Sequence, residues 1–380
     1  MNFKKTILSI SLSLFVSTAF AGAFNLEETK KLAYQGDAKA QYELGYAYYY
    51  GEGVPKYEER GIEWLLYSAK QGNAKAQYEL GAALYDENIM GSDKQPTVVE
   101  WLTKSANQNN ADAQFFLGYI YATDFGKPES YKKSLQYLER AAAQGHTEAQ
   151  AYAGLQYLNG YMGAHRDVQK AYKYFKAAAD KGDITSQEQI GFMYLTGLGM
   201  KQDYQKAFNI FTELSKKHPS EVTIYYLGYF YEKGIIVPQN HQKAFEYYMQ
   251  AHEYAAAQNS IAKLYQNGLG VAQDNTKAFE WFLKSAKTDF VDSQHELSNM
   301  YLKGIAVAKD INQGVYWAER AANLGYAKSQ YVLGSMYDKG DVVPKDYKKA
   351  LDWYTKAANQ GNAEAAKALK TMKSELIANN

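Results

Sequence analysis

The chain has 380 residues, enough for two or three ordinary domains or one long array. Forty-two Lys and Arg against 41 Asp and Glu leave a formal charge of +1, which excludes the basic footprint of a nucleic-acid binder and any polyacidic tail. The absence of cysteine excludes disulfides and lipoprotein acylation, and the outlier is tyrosine, present 36 times.

In chain order, residues 1–23 come first. Lys4 and Lys5 precede an apolar run from Ile7 to Val16, and small residues follow, with Ala19-Phe20-Ala21 or Ala21-Gly22-Ala23 as cleavage site. That order of charge, apolar core and small residues predicts a cleavable signal peptide. The apolar core is too short for a permanent span, and no later run is long enough to cross a bilayer. The expectation is an exported protein, periplasmic or secreted, with no transmembrane segment in the mature chain.

Residues 24–39 read as a capping helix. From Ala40 one unit recurs through 363. Numbering Ala40 as position 1, position 6 is Gly45, Gly81, Gly118, Gly154, Gly191, Gly228, Ala262, Ser298 and Gly334, a spacing of roughly 36 residues that marks a repeat array. Each unit predicts two helices. On the first, positions 1, 5, 8 and 9 share one face and predict the buried stripe, with leucine or another apolar residue at 5 and tyrosine at 9 in all units but one. A glycine-bearing loop such as Gly197-Leu198-Gly199 follows. Ser130, Asp203, Asn240, Asp274, Asp310 and Asp346 at position 18 predict N-caps of the second helix. One slot of that helix holds all five tryptophans (Trp64, Trp101, Trp281, Trp317 and Trp353), which predicts a repeated core position. Residues 364–380 read as a polar C-terminal capping helix.

The pattern A-Q-x-x-L-G, then Tyr, then G-x-G-V, then K-A-x-x-W, then A-A-x-x-G resembles the Sel-one-like repeat (SLR) family, a relative of the tetratricopeptide repeats. The resemblance implies an all-α fold: a right-handed α-solenoid of about nine antiparallel helix-turn-helix repeats with capping helices. It also implies protein–protein interaction, since relatives act as periplasmic regulators of membrane sensors, envelope assembly factors or secreted factors that contact host proteins. Thr223-Ile224 in place of Ala-Gln and Lys216-Lys217-His218-Pro219 at a second-helix exit depart from the pattern.

Positions 3, 7 and 10 project away from the predicted buried stripe. In the first six units they hold Tyr42, Tyr46, Tyr49, Tyr78, Tyr85, Phe115, Tyr119, Phe192, Tyr225 and Tyr229, whereas in the last three Tyr331 is the sole ring, among residues such as Asn259, Lys263 and His295. These ten are the candidate partner-binding residues, for a protein or peptide partner. The residues leave open whether the rings line a groove or pack between neighbouring first helices. On the groove reading, Tyr46→Ala and Tyr119→Ala would leave melting unchanged, and Leu117→Ala or Tyr121→Ala would open a cavity.

Catalytic signals are poor. Ser130-Tyr131-Lys132-Lys133 fits S-x-x-K, but the same slot reads Asp346-Tyr347-Lys348-Lys349, which predicts a helix cap. Six scattered histidines include no i,i+4 pair, and the G-x-G loops lack the remainder of a nucleotide motif. The expectation is a non-catalytic scaffold with no cofactor and no metal. Carbohydrate or cell-wall polymer binding through the rings is the second reading, and a β-lactam or cell-wall hydrolase the third.

Overall fold

A computed structural model describes residues 25–85, 95–123, 128–160 and 166–378. The proposed signal peptide at 1–23 lies outside them. All 20 elements among these residues are helices, and they fall into two compact units, one ending at Asp203 and one beginning at Tyr204.

The first unit begins with α1 (Leu26–Tyr34), a lone helix packed on α2. Hairpins follow: α2 (Ala38–Tyr50) with α3 (Glu58–Lys70), α4 (Ala74–Tyr85) with α5 (Gln95–Asn107), α6 (Ala111–Thr123) with α7 (Pro128–Ala143), and α8 (Thr147–Asn159) with α9 (Val168–Ala179). α10 (Ile184–Thr196) is its last helix. The second unit opens with α11 (Tyr204–Lys217) and continues with α12 (Glu221–Lys233) and α13 (His241–Gln250), then α14 (Ala255–Asn267) and α15 (Asn275–Ala286). It closes with α16 (Val291–Lys303) and α17 (Ile311–Asn323), α18 (Ala327–Lys339) and α19 (Tyr347–Asn359), and α20 (Ala363–Ala378).

Capping sets most of these boundaries. Asp167, Asn240, Asp274, Asp310 and Asp346 accept the backbone N–H three residues on, which satisfies a donor the helix cannot pair internally. Ser130 departs from the expected cap: α7 starts at Pro128, so Ser130 sits buried in its first turn. First helices whose exits are described end on a left-handed glycine, such as Gly51 at φ 79°. In the loop, the second glycine of G-x-G is also left-handed, and Ile236 takes that slot at φ 67°, a conformation that strains a β-branched residue.

The core follows the expected stripe at positions 5 and 8. Leu44, Leu80, Leu117, Leu297 and Leu333 are buried, as are Ala47, Met193, Phe230, Met300 and Met336. Position 6 is a place of close approach between the two helices of a hairpin: a Cβ on Gly118 would meet Leu138 at 2.7 Å.

Position 2 carries a buried polar ladder. Gln41, Gln77, Gln114, Gln294 and Gln330 each donate through Nε2 to a backbone carbonyl of the preceding second helix. Four of the ladder's glutamines accept through Oε1 from a glutamine just past the following second helix, as Gln71 gives to Gln41 at 2.7 Å and Gln360 to Gln330 at 2.8 Å. Where that exit residue is Lys181, Thr288 or Leu324, the matching Oε1 of Gln150, Gln258 or Gln294 is buried and unpaired. Leu324→Gln restores the missing donor, so urea unfolding should show a gain of about 1 kcal/mol.

Candidate functional site

The structure sorts the ten candidate rings into groups and corrects their expected exposure. Tyr42 is 9% exposed and Tyr46 2% exposed; both pack on Leu65, Ala69, Ala76 and Leu80. They are core, against the expectation of a free face. The other eight are half-buried.

The physical reason is position 4. The first helix of the next unit sets its position-4 side chain against positions 3, 7 and 10 of the unit before. Phe116 meets Tyr85 edge-to-face at 4.9 Å, and Tyr152 meets Phe115 at 5.5 Å and Tyr119 at 6.3 Å. Phe115 also stacks on His146 at 4.8 Å. Tyr85, Phe115 and Tyr119 thus belong to a ring cluster that joins successive first helices. Phe192 stands half-buried on α10.

The residues expected to be core are often the more peripheral ones. Position-9 tyrosines are half-buried apart from Tyr157, and in the tryptophan slot Trp101, Trp281 and Trp353 are half-buried while Trp64 and Trp317 are buried. Where the second-helix slot holds tyrosine the two slots stack on each other, as Tyr121 does on Tyr137 at 6.0 Å. Cations cover both: the Lys of K-A-x-x-W sits over the position-9 ring (Lys243 over Tyr231 at 4.1 Å), and a Lys or Arg three residues after the slot covers its ring (Lys356 over Trp353 at 4.2 Å).

At the first junction a carboxylate replaces the position-4 ring. Glu79 of α4 accepts a hydrogen bond from Tyr50 Oη at 2.9 Å. Tyr50 packs on Tyr46 at 4.5 Å and Tyr49 at 5.0 Å, and Tyr42 lies 6.0 Å from Tyr46. Tyr42, Tyr50 and Tyr78 all feel the charge of Glu79, and burial first, then that charge, holds their hydroxyls well above the usual tyrosine range. Burial pushes the Glu79 carboxyl up to about 7, against the lowering by the Tyr50 hydrogen bond. Sequence reasoning passed over Glu79 and Tyr50. The available signal was the change at position 4 from Glu79 to Phe116 and Tyr152.

In the second unit, Tyr225, Tyr229, Glu232, Asn259 and Lys263 line a cleft of about 280 Å³. Tyr225 packs on Tyr254 at 5.3 Å and on Tyr248 at 5.4 Å. Tyr254 and Tyr326, each just before a first helix, supply rings the slot count omitted. Tyr326 meets His295 edge-to-face at 5.6 Å. Burial, and then Lys328, pushes the His295 ring down to about 4, which keeps it neutral at pH 7.

The Sel1 repeat profile matches residues 38–73, 74–97, 99–110, 111–146, 147–183, 184–217, 223–251, 255–287, 291–326 and 327–362. The chain belongs to the Sel1 repeat family. The ten matches cover nine helix-turn-helix units, because 74–97 and 99–110 fall on α4 and α5 of one hairpin. Among solved structures, this Sel1 repeat protein is similar to a protective antigen of uropathogenic Escherichia coli displaying an SLR fold, at 25% identity and TM-score 0.52 over 93% of this chain and 91% of that one. It is also similar to a Sel1 repeat protein from Oxalobacter formigenes, at 29% identity and TM-score 0.51 over 82% and 90%. No curated protein matches. Sel1 repeat proteins typically mediate protein–protein interaction and are generally non-catalytic. Among the described residues no helix is long and apolar enough to cross a membrane and no group could hold a metal ion.

Proposed function

We propose that this Sel1 repeat protein is an exported, non-catalytic scaffold that binds another protein along its first-helix face. The carrying observation is the set of half-buried rings and polar groups on first helices, above all the Tyr225–Tyr229 cleft and the Tyr50–Glu79 pair. Rings held by packing lose little freedom on binding, which lowers the ordering cost of association. Export rests on the three-part pattern of residues 1–23. The edge-to-face packing of the first-unit rings offers no row of flat faces for stacking sugars, which weighs against the carbohydrate reading. A hydrolase centred on Ser130 is disfavoured as well, since that residue is buried and Lys133 lies over Tyr121.

Photo-crosslinking in intact cells tests the reading. A photoreactive residue at Tyr50 or Tyr229 should yield one specific protein adduct in the exported fraction. The same group at Tyr67 or Tyr347, both exposed on second helices, should yield none. Adducts from all four positions alike, or from none, would contradict a first-helix binding face.

A further inference from the structure

We propose that the edge of the first junction formed by Tyr50, Tyr78 and Glu79 binds the lysine or arginine side chain of a basic peptide. The inference rests on the scaffold reading above and names the chemistry of its partner in the first unit.

At the next two junctions the position-4 slot is filled by a ring, Phe116 or Tyr152, wedged among the rings of the preceding first helix. At the first junction the same wedge is the carboxylate of Glu79. Rings surround it, and its one hydrogen bond, from Tyr50, engages only Oε2. Among the described residues no Lys, Arg or His lies within ion-pairing distance of it. Lys39 is taken by Glu43 at 3.6 Å. The charged groups that bear on Glu79 are Asp112 of α6, which disfavours its ionised form, and Lys75 one turn earlier on α4, which favours it.

Tyrosine rings attract a cation electrostatically, and the second Glu79 oxygen can accept an N–H. An ammonium or guanidinium group satisfies both demands. A quaternary ammonium satisfies only the first. The field is complementary to a basic segment, because Glu43 and Glu52 add negative charge around Tyr42.

The test uses the full chain with 13C-labelled tyrosine, titrated with hexaarginine, hexalysine, hexacitrulline and tetramethylammonium at pH 8. Hexaarginine or hexalysine should shift the resonances of Tyr50 and Tyr78, and hexacitrulline should not. Glu79→Gln should weaken binding at least tenfold while the free protein keeps its helical circular-dichroism spectrum and its melting temperature. Tyr50→Phe keeps the ring and removes only the donor, so it should retain binding. Affinity should fall as pH drops from 8 to 6, as Glu79 takes up a proton. Equal affinity of the wild type and Glu79→Gln would overturn the assignment. So would equal binding of hexacitrulline, equal binding of tetramethylammonium, or loss of binding in both variants. Cellular capture separates the two readings. Full capture of the partner by Glu79→Gln refutes this site and leaves the scaffold standing, whereas a wild-type chain that captures nothing refutes the scaffold itself.

Discussion

Tyr46→Ala should cost about 3–5 kcal/mol in urea or thermal unfolding, the range for removing a large buried ring that leaves a cavity. Tyr46 is 2% exposed and stands between Leu65 of one hairpin and Ala76 and Leu80 of the next, so its loss empties the junction between units. Tyr121→Ala should cost about 1 kcal/mol, because that ring is half-buried and held mainly by stacking on Tyr137 and by Lys133 above it. Leu117, fully buried, should behave like Tyr46. The order Tyr46 above Tyr121 is the opposite of what the repeat pattern alone suggests, and equilibrium unfolding of the single variants reads it directly.

Gly61→Ala should be comparably damaging, at about 3 kcal/mol. An added Cβ would lie 2.6 Å from the backbone nitrogen of Tyr49 and 2.8 Å from its Cα, so α2 and α3 would have to separate. No side-chain rotation relieves a clash with backbone. Gly81→Ala is the control. There the added Cβ meets Cγ and Cδ2 of the Leu102 side chain at 2.8 Å and its backbone nitrogen only at 3.5 Å, so repacking of one side chain relieves part of the clash and the cost should be about 2 kcal/mol. Position 6 carries Ala262 and Ser298 in later units, and Ser298 donates to the Gly314 carbonyl at 2.7 Å, so the slot admits a small side chain when the facing residue allows it. Melting of the two alanine variants distinguishes the cases.

Much of the fold was legible because it repeats. The glycine at position 6, the Asp and Asn caps, and the leucines at position 5 recur where a helix hairpin needs them. The burial of Tyr42 and Tyr46 was not legible. Helical spacing shows which residues share a face, but not which later helix covers that face. The covering residue lies at position 4 of the next unit, some 36 residues on, and it varies from Glu79 to Phe116 to Tyr152. Tyrosine hides the difference, since it suits a packed junction and a wet edge equally well. The tryptophan slot misleads in the same way: Trp101 and Trp353 each lie under a lysine, with part of each ring left in water. Gln41 and its counterparts look like surface residues until the carbonyl they reach on the preceding helix is in view. Of the candidate site, the pairing of Tyr225 with Tyr229 followed from spacing on one helix. Glu79 needed the neighbouring hairpin.

The central claim is that Tyr42 and Tyr46, which repeat spacing alone would leave on a free face, are sealed between repeats while Tyr34, Tyr57 and Tyr67 near them meet water. Brief nitration of the native chain with tetranitromethane, read by peptide mass spectrometry, tests it most directly. Tyr34, Tyr57 and Tyr67, at 71%, 59% and 53% exposure, should be modified early, and Tyr42 and Tyr46 should stay unmodified until the chain unfolds. Nitration of Tyr42 and Tyr46 as fast as Tyr57 in the folded protein would contradict it.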